Sequence, residues 1–230
     1  WIDDQSFEFR PSERMKPATR YRVRIRLGEI IDIEKTKQYF DFEFETRTQA
    51  IHLSHEGLQP SGITELKWNQ VKGHLTLADI AAEDNIKKIV HATQGKRKLP
   101  VRWESSGDAL SYDFTIDSIL RDEKPDVATI VWDGKPVAAE QKESIKINIP
   151  ALGDFKVTDA RVVQQPEQYV VVSFSDPLRK DQNLSGLIRF SEQDMDLRYV
   201  MENNTIRIYP SVRQAGTLEV IIENGVKNIL

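Results

Sequence analysis

A strict two-residue alternation of apolar and charged side chains governs what this chain can become. It is clearest in Tyr21-Arg22-Val23-Arg24-Ile25-Arg26-Leu27 and in Phe40-Asp41-Phe42-Glu43-Phe44-Glu45-Thr46. Successive side chains on a β-strand point to opposite faces, so each segment reads as a half-buried strand. Tyr21, Val23, Ile25, Phe40, Phe42 and Phe44 are expected to enter one core, with the arginines and carboxylates left in water. The two charged faces carry opposite signs. That fits antiparallel pairing across residues 28–39, with facing ion pairs that disfavour a one-residue slip. The same period recurs in Ile145-Lys146-Ile147-Asn148-Ile149 and Thr205-Ile206-Arg207-Ile208-Tyr209, and Val170-Val171-Val172-Ser173-Phe174 is the apolar run of a buried strand. The expected fold class is all-β.

Composition narrows the function classes. The 230 residues hold 32 Lys+Arg against 36 Asp+Glu, a net charge of −4, which is neither the balance of a polybasic nucleic-acid binder nor that of a disordered acidic tail. No segment approaches the roughly 18–20 apolar residues needed to cross a bilayer, and Trp1-Ile2-Asp3-Asp4 does not open a signal peptide. Neither a nucleic-acid partner nor direct membrane insertion is expected. With no cysteine, disulfides, thiolate metal sites and cysteine nucleophiles are excluded, while cytosol and periplasm both remain open.

Comparing the chain with itself exposes equivalent places. Tyr21–Ile30, Val127–Pro136 and Leu218–Lys227 each read as a strand ending at a glycine, Gly28, Gly134 or Gly225. These lie 106 residues (28 to 134) and 91 residues (134 to 225) apart, which are sandwich-sized intervals. A tight turn at φ > 0 is the expected reason for each glycine. Phe7-Glu8-Phe9-Arg10-Pro11 and Ile206-Arg207-Ile208-Tyr209-Pro210 form a second pair, each a strand closed by proline. Ile80–Val90 matches Leu178–Ile188 at a constant offset of 98. Its apolar spacing is near-helical, but the match predicts a loop or short helical turn over 78–84 and a strand from about Ile86.

The strands that close each repeat place boundaries after Thr46 and Pro150. The expected organisation is the C-terminal part of one module in 1–48, a complete module in 49–152, and a third in 153–230 that lacks its closing strand. On this reading the sequence is a stretch of a longer protein. The connections Arg47-Thr48-Gln49-Ala50 and Ala151-Leu152-Gly153-Asp154 are short and not Gly/Ser-rich, so neighbouring modules should restrain one another.

This order of signals resembles bacterial Ig-like modules. Phe174-Ser175-Asp176-Pro177-Leu178, Asn183-Leu184 and Ile206–Pro210 carry the resemblance, together with Phe7–Pro11, Thr19–Val23 and Phe40–Thr46. More narrowly, the series is similar to the N-terminal macroglobulin-type domains of bacterial alpha-2-macroglobulin-like proteins, especially those of Bacteroidetes. The resemblance implies tandem antiparallel Greek-key sandwiches. It also implies a non-catalytic structural segment of a broad-spectrum protease inhibitor, whose full-length form is tethered in the periplasm or at the outer envelope and encloses proteases. Its partners would be those proteases and the neighbouring modules. The family's Cys-x-Glu-Gln thioester finds no match here. The alternative is an Ig-like array of a surface adhesin or carbohydrate-binding protein.

No motif carries chemistry. Gly-x-Ser-x-Gly, His-Glu-x-x-His and the P-loop pattern are absent, so no catalytic, cofactor-binding or metal-ligating residue is expected and the chain is read as no enzyme. His52 and His55, three apart on a strand, face opposite ways and could share a metal only if the backbone bent there. Carboxylates cluster at Asp3/Asp4, Glu83/Asp84, Asp122/Glu123 and Asp194/Asp196, and a weak Ca²⁺ site at a module junction is the chemistry they would offer. None has the order of an EF-hand. Gly95-Lys96-Arg97-Lys98 reads as an exposed hairpin tip, with a protease-accessible or anionic-partner loop as the alternative that needs the same exposure. Trp68, Trp103 and Trp132 read as core anchors, with a sugar-stacking platform as the alternative for any that are exposed.

Overall fold

In the computed structural model, which describes residues 2, 6, 8–191 and 195–230, the alternating segments are strands. β1 (Arg20–Arg26) and β2 (Tyr39–Glu45) form an antiparallel hairpin. Its register sets Arg22 opposite Glu43 and Arg24 opposite Asp41, with Arg20 opposite Glu45. The facing charges meet as expected: Arg24 Nε lies 2.8 Å from Asp41, Arg22 3.7 Å from Glu43, and Arg20 3.8 Å from Glu45. Arg26 turns instead to Glu29, 3.1 Å away.

The apolar face of this hairpin departs from expectation, because it joins neither core of the described residues. Phe40 remains 52% exposed and Phe42 40%, while Tyr21, Val23, Ile25 and Phe44 are half-buried. A two-stranded ribbon has only its own side chains to cover one face, and here they do so by stacking: Tyr21 on Phe44, and Phe44 against Phe42. Residues 8–11 form no strand. Phe7 and the Asp3/Asp4 pair lie outside the described residues.

The middle of the chain builds two facing sheets from β3 (Ile51–Pro60), β4 (Trp68–Leu77), α1 (Glu83–Ile86), β5 (Val90–Gln94), β6 (Arg97–Leu99), β7 (Val101–Ser105), β8 (Ser111–Leu120), β9 (Asp126–Asp133) and β10 (Lys142–Ile149). Strand order is β3-β4-β8-β7 in one sheet and β10-β9-β5-β6 in the other, antiparallel throughout. Alternate residues of both sheets meet in one core: Val71, Leu75, Phe114 and Ile116 from the first, Ala92, Ile130, Trp132, Ile147 and Ile149 from the second. This is sandwich packing.

The helix-like stretch resolves into four residues of α1, and β5 begins at Val90 rather than near Ile86. Ile86 and Ile89 are both fully buried. Their spacing of three suits one helical turn laid on the core, and that turn uses up the residues expected to extend the strand. The basic run is the tip of the β5–β6 hairpin, with Gln94 paired to Arg97 and Gly95 at φ +56°.

The last part repeats the plan. β11 (Val157–Val163), β12 (Tyr169–Phe174), β14 (Leu197–Glu202) and β15 (Thr205–Pro210) form a sheet of order β11-β12-β15-β14, the same order as β3-β4-β8-β7. β13 (Ile188–Phe190) and β16 (Val220–Ile222) pair as β5 and β9 do. β13 starts 98 residues after β5, the offset read from the sequence. A second core gathers Val172, Phe174, Leu178, Ile188, Phe190, Ile206 and Ile208. All described sheets are antiparallel and the chain is all-β apart from α1 and three short 3₁₀ turns.

The repeated glycines hold their places for another reason than the one expected. Gly28, Gly134 and Gly225 have no positive φ. They are required by close approach: a Cβ on Gly134 would lie 2.7 Å from that of Ala139, one on Gly225 2.5 Å from Leu187 Cδ2, and one on Gly28 3.2 Å from Gln38 Cγ. At Gly28 and Gly134 the chain leaving the strand folds back over the glycine, whereas at Gly225 the neighbour is the Leu187 side chain from the segment before β13.

Candidate functional site

β8 ends at Leu120, and the next residue is the largest fully buried side chain of the described structure, Arg121. Its amide is held by Lys67 O at 2.8 Å, which aims the side chain out of the middle sheets toward the chain entering the last ones. There the guanidinium meets six oxygens. Nε reaches Pro150 O and Ala151 O at 3.1 and 3.2 Å. One terminal nitrogen donates to Ser175 O at 3.1 Å and to Asp176 Oδ1 at 2.6 Å. The other donates to Ala151 O at 2.9 Å and Asp154 O at 2.7 Å, with Asp176 Oδ2 at 3.3 Å. All five N–H donors of the planar fork are thereby used.

Asp176 is as buried as its partner, with side-chain exposures of 0% for Arg121 and 1% for Asp176. The Ser175 hydroxyl bridges Asp176 Oδ2 at 2.8 Å and Asp154 O at 2.9 Å, and accepts from Lys156 N at 3.0 Å. One end of this network belongs to the loop after β8 and the other to the loop after β12. A buried pair of opposite charges is stable only when its remaining donors and lone pairs are met, as they are here. The oxygen set is of the kind a hard cation takes, and the cation present is the guanidinium.

A second contact joins the same two sheet pairs. β3 carries a bulge between His55 and Leu58, and within it Gly57 sits at φ +75°. A Cβ there would collide with Asp159 Cβ on β11. Beside it, Thr158 Oγ1 donates to Leu58 O at 3.3 Å and Arg161 lies 3.6 Å from Glu56. The bulge leaves room for β11 to approach only because the residue has no side chain.

The residues singled out for chemistry are scattered. His52 is exposed and His55 accepts from Gly57 N, at 3.2 Å, through its own Nδ1. The backbone bends only after the pair. Glu83 is tied to Lys87 at 2.7 Å, and Asp122 caps its own neighbour Glu123. Asp196 is exposed, and Asp194 lies outside the described residues. No three His, Asp or Glu side chains gather to hold a metal among the described residues. Trp132 is buried and Trp103 packs on Phe114 with ring centroids 5.4 Å apart, as core anchors should. Trp68 is 39% exposed instead, because the buried set of β4 is Asn69, Val71, Gly73, Leu75 and Leu77, which leaves position 68 on the outer face.

That outer face does bring three residues together that the sequence separates. Ser54, His74 and Asp113 are direct cross-strand neighbours on β3, β4 and β8. His74 Nδ1 lies 2.7 Å from Asp113 Oδ1, and the Ser106 hydroxyl donates to Asp113 Oδ2 at 3.0 Å. The His74 contact lowers the Asp113 pKa from its ordinary value; burial opposes it, and the Ser106 hydroxyl adds a smaller lowering. The row has the residue types of a nucleophile relay without its connections. No hydrogen bond joins Ser54 to His74 among the described residues, and the serine that is bonded meets the carboxylate rather than the imidazole. A general base must reach the proton it takes.

No described helix is long and apolar enough to cross a membrane. Comparison with protein-family models, with curated proteins and with solved structures finds no match for the chain.

Proposed function

We propose that the chain is a non-catalytic scaffold of coupled β-sandwich modules, with 49–152 and 153–230 as successive units held at a fixed mutual orientation. The observation that carries this is the Arg121–Asp176 joint. A guanidinium that is fully buried and bonded to backbone carbonyls on both sides cannot follow a change of angle between the units without leaving charge unpaired. Flexible arrays have polar, solvated junctions; at this one the Arg121–Asp176 pair is buried and its donors are saturated. The finer reading is a structural segment of an alpha-2-macroglobulin-like protease-trapping protein of the bacterial periplasm or envelope, and it is supported by the strand and turn signals of the sequence.

The chain has no cysteine, so paired labels can be placed cleanly. Spin labels at Lys98→Cys and Val200→Cys, both exposed, should give one narrow distance distribution, and Arg121→Met should broaden it. A broad distribution in the otherwise unaltered chain would refute the scaffold. Trapping is tested on the longer protein carrying this segment: bound proteases should lose activity on large substrates and keep it on small peptides.

One observation favours a carbohydrate-binding array instead. Phe40, Phe42 and Phe44 form an aromatic row with ring centroids 5.8 and 6.2 Å apart, partly open to solvent. Sugar platforms set polar groups beside the stacked ring, whereas the charges of β1 and β2 all point to the opposite face. Polysaccharide binding that is abolished by Phe40→Ser with Phe42→Ser would restore that reading.

A further inference from the structure

The sheet β10-β9-β5-β6 sends Ala92, Ile130, Ile147 and Ile149 into the core, so the residues between them form its outer face. Pairing across the strands sets those residues in rows. Lys146 stands opposite Thr129, Thr129 opposite Thr93, and Thr93 opposite Lys98. Ser144, Val131 and His91 make the next row. With neighbouring strands about 4.8 Å apart, the two lysines bound a straight row about 14 Å long, with two hydroxyls between them.

The charge of this face is unbalanced, in a chain that carries more acid than base. Every described strand arginine outside β6 lies within 4.0 Å of a carboxylate, as in Arg24–Asp41, Arg102–Asp117 and Arg207–Glu202. The lysines are placed otherwise. Of the strand lysines Lys72, Lys98, Lys142 and Lys146, all but Lys72 stand on this one face. Asp133 is the carboxylate among its strand positions, and Lys142 holds it at 3.4 Å. Lys98 and Lys146 are exposed and have no carboxylate partner among the described residues. At the Lys98 end the hairpin tip adds Lys96 and Arg97, and Arg97 is bonded to the neutral Gln94 side chain at 2.7 Å.

We propose that this face binds an acidic polysaccharide, a polymer of sugar rings that bear carboxylates, laid along the row from Lys146 to Lys98. Its charges meet the unpaired lysines, and its hydroxyls meet Thr93 and Thr129, each of which can donate and accept. The same face suits other polyanions less well. An acidic protein needs an apolar centre to its interface, and the strand positions here offer only Val127 and Val131. Single-stranded nucleic acid needs aromatic rings for its bases, and these positions hold no Phe, Tyr or Trp. Phosphate oxygens accept hydrogen bonds without donating, so a phosphate polymer or a lipid headgroup would use the lysines and leave half of what the threonines offer unused. The site belongs to the middle unit alone and stands apart from the fixed joint at Arg121.

The test is NMR titration of the isotope-labelled chain with alginate, a polymer of uronic acids, beside uncharged dextran and inorganic polyphosphate. Alginate should shift Thr93, Lys98, Thr129 and Lys146 saturably, with an affinity that falls as salt is added, and dextran should shift nothing. Lys98→Gln with Lys146→Gln should weaken alginate binding about two- to thirtyfold, the scale of two exposed ion pairs. Lys72→Gln with Lys180→Gln removes the same charge elsewhere and should leave binding unchanged. Thr93→Val with Thr129→Val keeps the charge and the strand propensity; it should weaken alginate and leave polyphosphate unaffected. The lysines replaced are exposed, so both glutamine pairs should keep the circular dichroism of the parent. Absence of alginate binding, shifts centred on another face, binding of dextran, or an equal loss in the Lys72 pair would each overturn the proposal. A threonine pair without effect on alginate, or polyphosphate bound as tightly per charge, would make the face a general anion surface and overturn it as well.

Discussion

Replacing Arg121 by methionine removes the cation from the joint while keeping the length of the side chain. Asp176 is then a carboxylate with 1% exposure and no counter-ion, and four carbonyls lose a donor. Breaking a buried pair from one side costs about 3–5 kcal/mol, most of it the uncompensated charge. Pro150 O and Ser175 O lose the guanidinium as well, but Asp154 O keeps the Ser175 hydroxyl, Ala151 O keeps Asp154 N, and entering water offsets the rest. The expected loss is therefore about 3–5 kcal/mol, a large part of the ~5–15 kcal/mol that holds a typical protein folded.

With a urea slope of about 2 kcal/mol/M, the midpoint should fall by about 2 M. Trp68, Trp103 and Trp132 all lie in the middle sheets, so in a Trp1→Phe background tryptophan emission follows that unit while far-UV circular dichroism follows the whole chain. The two probes should coincide in the parent chain and separate in Arg121→Met. Adding Asp176→Leu should recover about 2 kcal/mol or more, since an apolar pair of similar volume removes the stranded charge. A single variant within about 1 kcal/mol of the parent, with the probes still coincident, would show that the buried pair does not couple the units.

Three further outcomes follow from the same contacts. Gly57→Ala should lower stability by more than the roughly 1 kcal/mol of ordinary left-handed strain, because its Cβ also meets Asp159; a urea titration reads this. Gly134→Ala should cost about 1–3 kcal/mol although its φ is −76°, since the added methyl meets Ala139; an unchanged melting curve would show that the returning chain yields freely. Asp113 is held below the usual carboxylate range first by His74, so the stabilisation it contributes is complete above its unfolded value and is lost as pH falls through the lower folded one. His74→Gln should raise the Asp113 pKa toward its ordinary value, as followed by carboxyl carbon shifts in an NMR titration.

The strands, the hairpin register and the repeat are written in the residues alone. Period-two alternation is local: a shift of one residue would turn Val23 and Phe42 to the charged face, so the pairing of Arg24 with Asp41 belongs to the segments themselves. The offset of 98 likewise makes β13 the equivalent of β5 from residue order alone. What those elements meet depends on the folded arrangement. Phe40 and Phe42 alternate as a core face does, and they stay open because among the described residues no layer faces the hairpin. Arg121, beside Asp122 and Glu123, has the look of a solvated turn, and Asp176 before a proline that of a turn residue. Their pairing joins positions 55 apart in sequence, a separation at which no periodicity speaks. The glycines show the same division. Their spacing is legible in the sequence, but the reason for them, a returning chain at Gly28 and Gly134 and the Leu187 side chain at Gly225 pressed against the α-carbon, exists only once the chain has folded.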